Sequence, residues 1–224
     1  MRNLILNADD FGISKGVNQG IVEAHARGVV TSASLMVTRR AAEEAAELAR
    51  VHSSLAVGLH WDAWGEDGCQ LDLRDDRAVR AEFTRQVDRF WELMGRPPTH
   101  VDSHHQLHRE PGVTKLFEEL VEPLGVPLRG GGRVRVIGGF YGQSESNVTN
   151  LEYVSVPFLQ RMLREEVREG WTEIYCHPGY RTPDYQSAYL AEREEEIRTL
   201  TDPRVRTTIA EEGIRLRSYA EVPR

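Results

Sequence analysis

The sequence predicts an α/β fold, arranged as a single-domain distorted (β/α) barrel with about seven parallel strands. Three observations point there. Short aliphatic runs alternate with longer helix-like stretches along all 224 residues. No low-complexity linker or internal repeat divides the chain, and its length suits one sizeable core. Polar reactive residues recur at the C-terminal ends of the strand-like runs, where α/β sheets build their sites. An open doubly wound sheet also fits the alternation; the strand count favours the barrel.

The elements follow from local pattern. Residues 3–7 form an apolar run that ends at a polar, Gly-containing turn, so they read as a buried strand. Residues 16–27 read as a helix stopped by Gly28, and 29–36 are β-rich. The Ala/Glu/Leu content of 40–50 predicts a helix, and 55–60 the next strand. Residues 78–94 form a long amphipathic helix ending at Gly95, followed after Pro97-Pro98 by a strand over 99–103. Residues 113–124 read as helix and 126–128 as a short strand. Residues 130–142 are glycine-rich and read as a loop around 134–137. A helix over 157–168 has Pro157 in its first turn. A strand over 171–176, a helix over 187–200 and a short helical segment at 207–210 complete the chain.

Composition excludes several classes. Hydrophobic content is 40%, charged content 28% and net charge −7, with no long basic run, so no nucleic-acid footprint is expected. No apolar stretch is long enough to span a bilayer, and the N-terminus lacks a signal-peptide pattern, so a cytoplasmic enzyme is expected. Cys69 and Cys176 are too few for a disulfide framework.

Four segments carry chemistry. Asp9-Asp10 directly follow the first strand. Side chains alternate along an extended chain, so the two carboxylates are expected to diverge, one free to bind a metal and the other to act as a base. A plain acidic turn capping the helix that begins near Ser14 is the alternative reading. His60 ends the third strand, His104 and His105 follow Asp102, and His177 precedes Pro178-Gly179. Four of eight histidines (His100, His104, His105, His108) fall within one nine-residue window, a clustering that points to a metal site. His60 and His104 are the favoured ligands. His108, four residues after His104, is a further candidate on a helix, although Pro111-Gly112 leaves little room for one. Asp102 is placed to hold a histidine by its second ring nitrogen. His177 is a candidate general acid. His100 reads as structural, and His25 and His52 as surface residues.

Other features carry less. Arg129-Gly130-Gly131-Gly132 lacks a Walker-type Lys-Ser/Thr and reads as a flexible loop. Trp61, Trp64, Tyr141, Tyr180, Tyr185 and Tyr189 offer faces for sugar rings or for packing. Glu165-Glu166 and Glu194-Glu195-Glu196 read as solvated helix faces.

Leu6-Asn7-Ala8-Asp9-Asp10-Phe11-Gly12, Gly58-Leu59-His60, Thr99-His100-Val101-Asp102-Ser103-His104-His105 and His177-Pro178-Gly179 occur in the order of the motifs of the YdjC-like carbohydrate deacetylases, which include chitooligosaccharide deacetylases. The chain resembles that family from residue 3 to about 179. The resemblance implies a distorted (β/α) barrel and a hydrolase that removes the acetyl group from an N-acetylated saccharide such as diacetylchitobiose. It implies one divalent metal ion, Mg²⁺ or Zn²⁺, held by Asp10, His60 and His104, with Asp9 as general base and His177 as acid. Gln106 stands where a third consecutive histidine is common, and Trp61-Asp62 where an aliphatic residue is commoner. A small saccharide is the expected partner, with a homodimer left open. A metal-dependent phosphoesterase and a non-catalytic metal- or sugar-binding protein are the competing readings. The first is weakened by the lack of an evident Arg/Lys phosphate clamp, the second by the retained Asp9.

Overall fold

The computed structural model describes residues 1–63, 70–145 and 147–223. Trp64 and Cys69 lie outside the described residues. A curled parallel sheet is built from β1 (Arg2–Phe11), β2 (Ser32–Leu35), β3 (Ala56–Trp61), β4 (Val101–Ser103), β5 (Arg135–Ile137), β8 (Gly170–Cys176) and β9 (Arg215–Leu216). Its order is β4-β3-β2-β1-β8-β5, with β9 added on β1. A small antiparallel hairpin, β6 (Gln143–Glu145) and β7 (Val148–Thr149), stands apart from it. The predicted barrel of about seven strands is the observed architecture, in the form of a half-barrel.

Leu4, Ile5 and Leu6 of β1 are all fully buried, as a strand covered on both faces requires. Helices α1 (Lys15–Ala26), α2 (Ala42–Val51), α3 (Asp76–Met94), α4 (Thr114–Val121), α5 (Val156–Glu165), α6 (Leu190–Thr201) and α7 (Pro203–Glu211) connect or follow the strands. Ser14 caps α1 through its Oγ, which accepts from Val17 N–H at 3.2 Å. Helix α3 begins two residues before the predicted start because Asp75 caps it, accepting from the Arg77 and Ala78 amides, and it ends at left-handed Gly95 as expected.

Three expectations change. Residues 126–128 form no strand: Leu128 makes a single parallel bridge to Val101, and Arg129 N–H donates to Val101 O at 2.9 Å. The glycine-rich stretch expected as a loop contains β5. Beyond α7 the chain continues into β9 and a 3-10 turn, Tyr219–Glu221, capped reciprocally by Ser218 and Glu221. Among the described residues no helix is long and apolar enough to cross a membrane.

Candidate active site

The end of β1 departs from a regular strand. Asp10 takes a left-handed conformation (φ 69°), and the register with β2 shifts between Ala8 and Phe11. This irregularity cancels the expected alternation and turns both carboxylates into one cavity of about 410 Å³. Gly12 (φ 96°) completes the turn, its N–H donating to Asn18 Oδ1 at 2.7 Å.

Within that cavity the carboxylates have different neighbours. Asp10 Oδ1 lies 3.4 Å from His60 Nε2 and 3.1 Å from His104 Nδ1, and Asp10 Oδ2 accepts from Arg193 Nη2 at 2.5 Å. Burial alone would raise the Asp10 pKa, but Arg193, with His104 and His60, holds it well below the usual carboxylate range. Asp9 is gripped on both oxygens by Arg129, at 2.6 and 2.8 Å, and accepts from Asn7 Nδ2 at 2.8 Å. Its Oδ2 lies 4.0 Å from His177 Nε2.

One donor atom each from Asp10, His60 and His104 lie within 4.8 Å of one another. Asp9, His60 and Asp102 also cluster, but Arg129 takes both oxygens of Asp9 and reaches Asp102 as well, whereas Arg193 meets only Oδ2 of Asp10 and leaves Oδ1 facing the two imidazoles. The first group therefore fits a cation better. His60 donates from Nδ1 to Asp102 Oδ1 at 2.6 Å, the carboxylate-backed imidazole common behind metal ligands. Burial works to lower the His60 pKa, but Asp102 and the bonds to Asp10 and Asp102 hold it up at about 10. Counted as ionised, the buried carboxylates Asp9, Asp10, Asp102 and Glu173 face, among the described residues, the guanidiniums of Arg129 and Arg193 and the protonated His60 ring, which leaves one negative charge in excess. That excess of negative charge, with one carboxylate and two imidazole donors, fits a divalent cation.

Gly58 explains its place two residues before His60. A Cβ there would lie 2.4 Å from the His100 ring, which packs under the site. Burial lowers the His100 pKa to about 4, so the ring is neutral. It donates from Nε2 to Ser34 Oγ at 3.0 Å, and Ser34 in turn donates to Asp102 Oδ2 at 2.6 Å. The structural reading of His100 is thus given a specific form.

His108 is not brought to the cluster. His105 and Gln106 take left-handed conformations (φ 54° and 57°), which break the helical spacing after His104. His108 instead accepts from Ser103 Oγ at its Nδ1, 2.6 Å, and donates from Nε2 to Arg129 O at 3.0 Å. His105 tilts against His104, ring centroids 3.9 Å apart, and lines the cavity.

Two arginines and one glutamate were not foreseen. Arg129, expected in a flexible loop, is buried and bridges Asp9, Asp102 and Glu173. Arg193 reaches Asp10 from α6. Glu196, expected on a solvated face, is fully buried; it accepts from the His177 amide and, at 2.7 Å, from Tyr189 Oη. Burial raises its pKa to about 8. The available signal was helical spacing: Glu192, Arg193, Glu196 and Ile197 share one face. His177 Nδ1 is buried without a hydrogen-bond partner among the described residues, and burial lowers the ring's pKa to about 4. Tyr141, Tyr175, Tyr185 and Tyr189 line the remaining wall, whereas Trp61 is buried against Phe117 and takes no part.

The model of the YdjC-like protein family matches residues 3–211. A carbohydrate deacetylase from Geobacillus stearothermophilus is 36% identical, the match covering 98% of each chain. A chitooligosaccharide deacetylase from Serratia marcescens is 34% identical, again over 98% of each. Among solved structures, a candidate cellobiose-phosphate cleavage protein from Enterococcus faecalis V583 superposes with a TM-score of 0.82 at 27% identity, covering 100% of this chain and 99% of that one. A family 4 carbohydrate esterase from Streptomyces lividans, solved with acetate, shares the fold (TM-score 0.60, 14% identity, 98% and 94% covered). Motifs, curled sheet and family match agree: the chain belongs to the YdjC-like family.

Proposed function

We propose that this protein is a metal-dependent carbohydrate deacetylase that hydrolyses the acetamide of an N-acetylated saccharide of the chitooligosaccharide type. The observation that carries the reading is the division between the two carboxylates. Asp10 joins His60 and His104, whereas Asp9 stands beside them, held by Arg129 and outside that donor set. The names of the relatives at 36% and 34% identity support the chemistry, and the tyrosine-lined wall suits a pyranose ring.

Asp10, His60 and His104 would hold the metal. When bound, a divalent cation supplies Lewis acidity toward an amide carbonyl and water. Two imidazoles and one carboxylate favour Zn²⁺ over Mg²⁺ on intrinsic affinity. Asp9 takes the proton of the attacking water, and the Arg129 grip on both of its oxygens fixes its direction. The His177 ring is neutral at neutral pH, so it holds no spare proton at the start of the cycle. It becomes the acid by receiving the proton collected by Asp9, 4.0 Å away, and passing it to the departing amine. Neither of the arginines buried at the site, Arg129 and Arg193, is left to clamp a phosphate, since both are occupied by carboxylates.

The test is acetate release from diacetylchitobiose. Release is expected with Zn²⁺ or Mg²⁺, loss on chelation and recovery on metal return. Asp9→Asn should lower kcat by about 10²–10⁴-fold while metal affinity is retained. No acetate from any N-acetylated mono- or disaccharide by metal-loaded protein would refute the reading.

A further inference from the structure

The C-terminal turn carries a buried tyrosine that the reaction as described does not use. Tyr219 is 1% exposed and sits beneath the site, its backbone N–H donating to Ser32 Oγ at 3.0 Å. Two lines of contacts run from it. Its hydroxyl donates to Glu173 Oε2 at 2.5 Å. Glu173 Oε1 accepts from Arg129 at 2.7 and 2.9 Å, and Arg129 grips Asp9. Its ring lies flat on His100, centroids 3.9 Å apart and planes 13° apart. From His100 the bonds pass through Ser34 to Asp102, and Asp102 holds His60.

We propose that Tyr219 is a positioning residue for the catalytic centre, orienting Asp9 through Glu173 and Arg129, and His60 through His100, Ser34 and Asp102. The inference rests on the roles proposed above for Asp9 and His60. Every side chain along both lines is nearly or fully buried, so water cannot replace a lost partner. A guanidinium shared by three carboxylates can tilt among them. Glu173, pinned by the tyrosine hydroxyl, sets which tilt Arg129 adopts and hence where the oxygens of Asp9 point. The ring acts on the other line by pressing His100 into the space left by Gly58.

Separate substitutions address the two lines. Tyr219→Phe removes the hydroxyl and keeps the stack. It should lower kcat about tenfold, with KM and Zn²⁺ affinity unchanged. In a Glu173→Gln background the same change should cost little more, because the line is already cut. Tyr219→Leu removes the stack as well and should weaken Zn²⁺ affinity about tenfold, read by calorimetry with no substrate present. Circular dichroism melts identify folded protein, and if Tyr219→Leu does not fold, Tyr219→Phe decides. The idea is overturned by wild-type kcat in folded Tyr219→Phe, by additive losses in the double variant, or by wild-type Zn²⁺ affinity in folded Tyr219→Leu. If wild-type protein releases no acetate, the functional reading falls, and Zn²⁺ affinity still scores the metal line by itself.

Discussion

The distinct surroundings of Asp9 and Asp10 come from one left-handed residue. Had Asp10 kept an extended conformation, alternation would have sent one carboxylate out of the cavity. The chain accepts an unfavourable φ at a non-glycine residue there, and the neighbouring ion pairs hold it in place. Histidines divide in the same way. His104 faces Asp10, whereas His108, four residues on, is buried between Ser103 and the Arg129 carbonyl. His108→Ala should therefore lower unfolding free energy by about 1–3 kcal/mol through the partners left unpaired, with Zn²⁺ affinity intact. His104→Ala should do the reverse, losing metal with a small change in stability. Denaturant titration and calorimetry on both variants check this, and equal Zn²⁺ affinities would contradict the assignment.

At the scale of elements, α6 has an unusual inner face. Helices of this length usually turn charge outward, yet Glu192, Arg193 and Glu196 are buried against the site and its hairpin. Arg193 is held by Asp10 and the His177 carbonyl. Glu196 sits deeper, and burial raises its pKa from 4.5 to about 8. Its folded-state pKa thus exceeds the unfolded value. The folded protein binds more protons between those values, and stability contributed below pH 4.5 is lost as pH rises through about 8. Glu196→Gln should flatten that part of the stability–pH curve. Denaturant midpoints across this range test it, and parallel curves for variant and wild type would show that Glu196 does not titrate as described.

For the whole molecule, one guanidinium joins distant parts of the barrel. Arg129 lies past the bridge between Leu128 and β4, and it contacts Asp9 on β1, Asp102 on β4 and Glu173 on β8. The carboxylates raise its pKa further despite burial. Removing the cation would leave three acidic groups buried together, so Arg129→Ala should cost about 3–5 kcal/mol of stability. A loss below about 1 kcal/mol in denaturant unfolding would mean that the interior relaxes or admits water.

Much of this was legible in the sequence. The aliphatic runs, Gly95 and the Pro-containing first turn of α5 mark elements by local chemistry, which depends on near neighbours alone. The strand-end motifs also named residues that the cavity gathers, among them Asp9, Asp10, His60, His104 and His177. Their partners were not legible. Arg129 looked like part of a glycine-rich loop and Glu196 like a solvated charge, and no motif marked Tyr219. Each owes its role to burial beside residues at least 19 positions away. A charged or phenolic side chain in sequence carries no sign of whether water or another side chain will satisfy it. The sequence by itself determined the alternation of strands and helices and the donor types brought to the strand ends, because periodicity and ligand chemistry are local properties. Only the tertiary structure decided which carboxylate faces the two imidazoles and which is held on both oxygens by Arg129. That choice depends on the bulge at Asp10 and on the dry interior that forces every buried charge to find a partner.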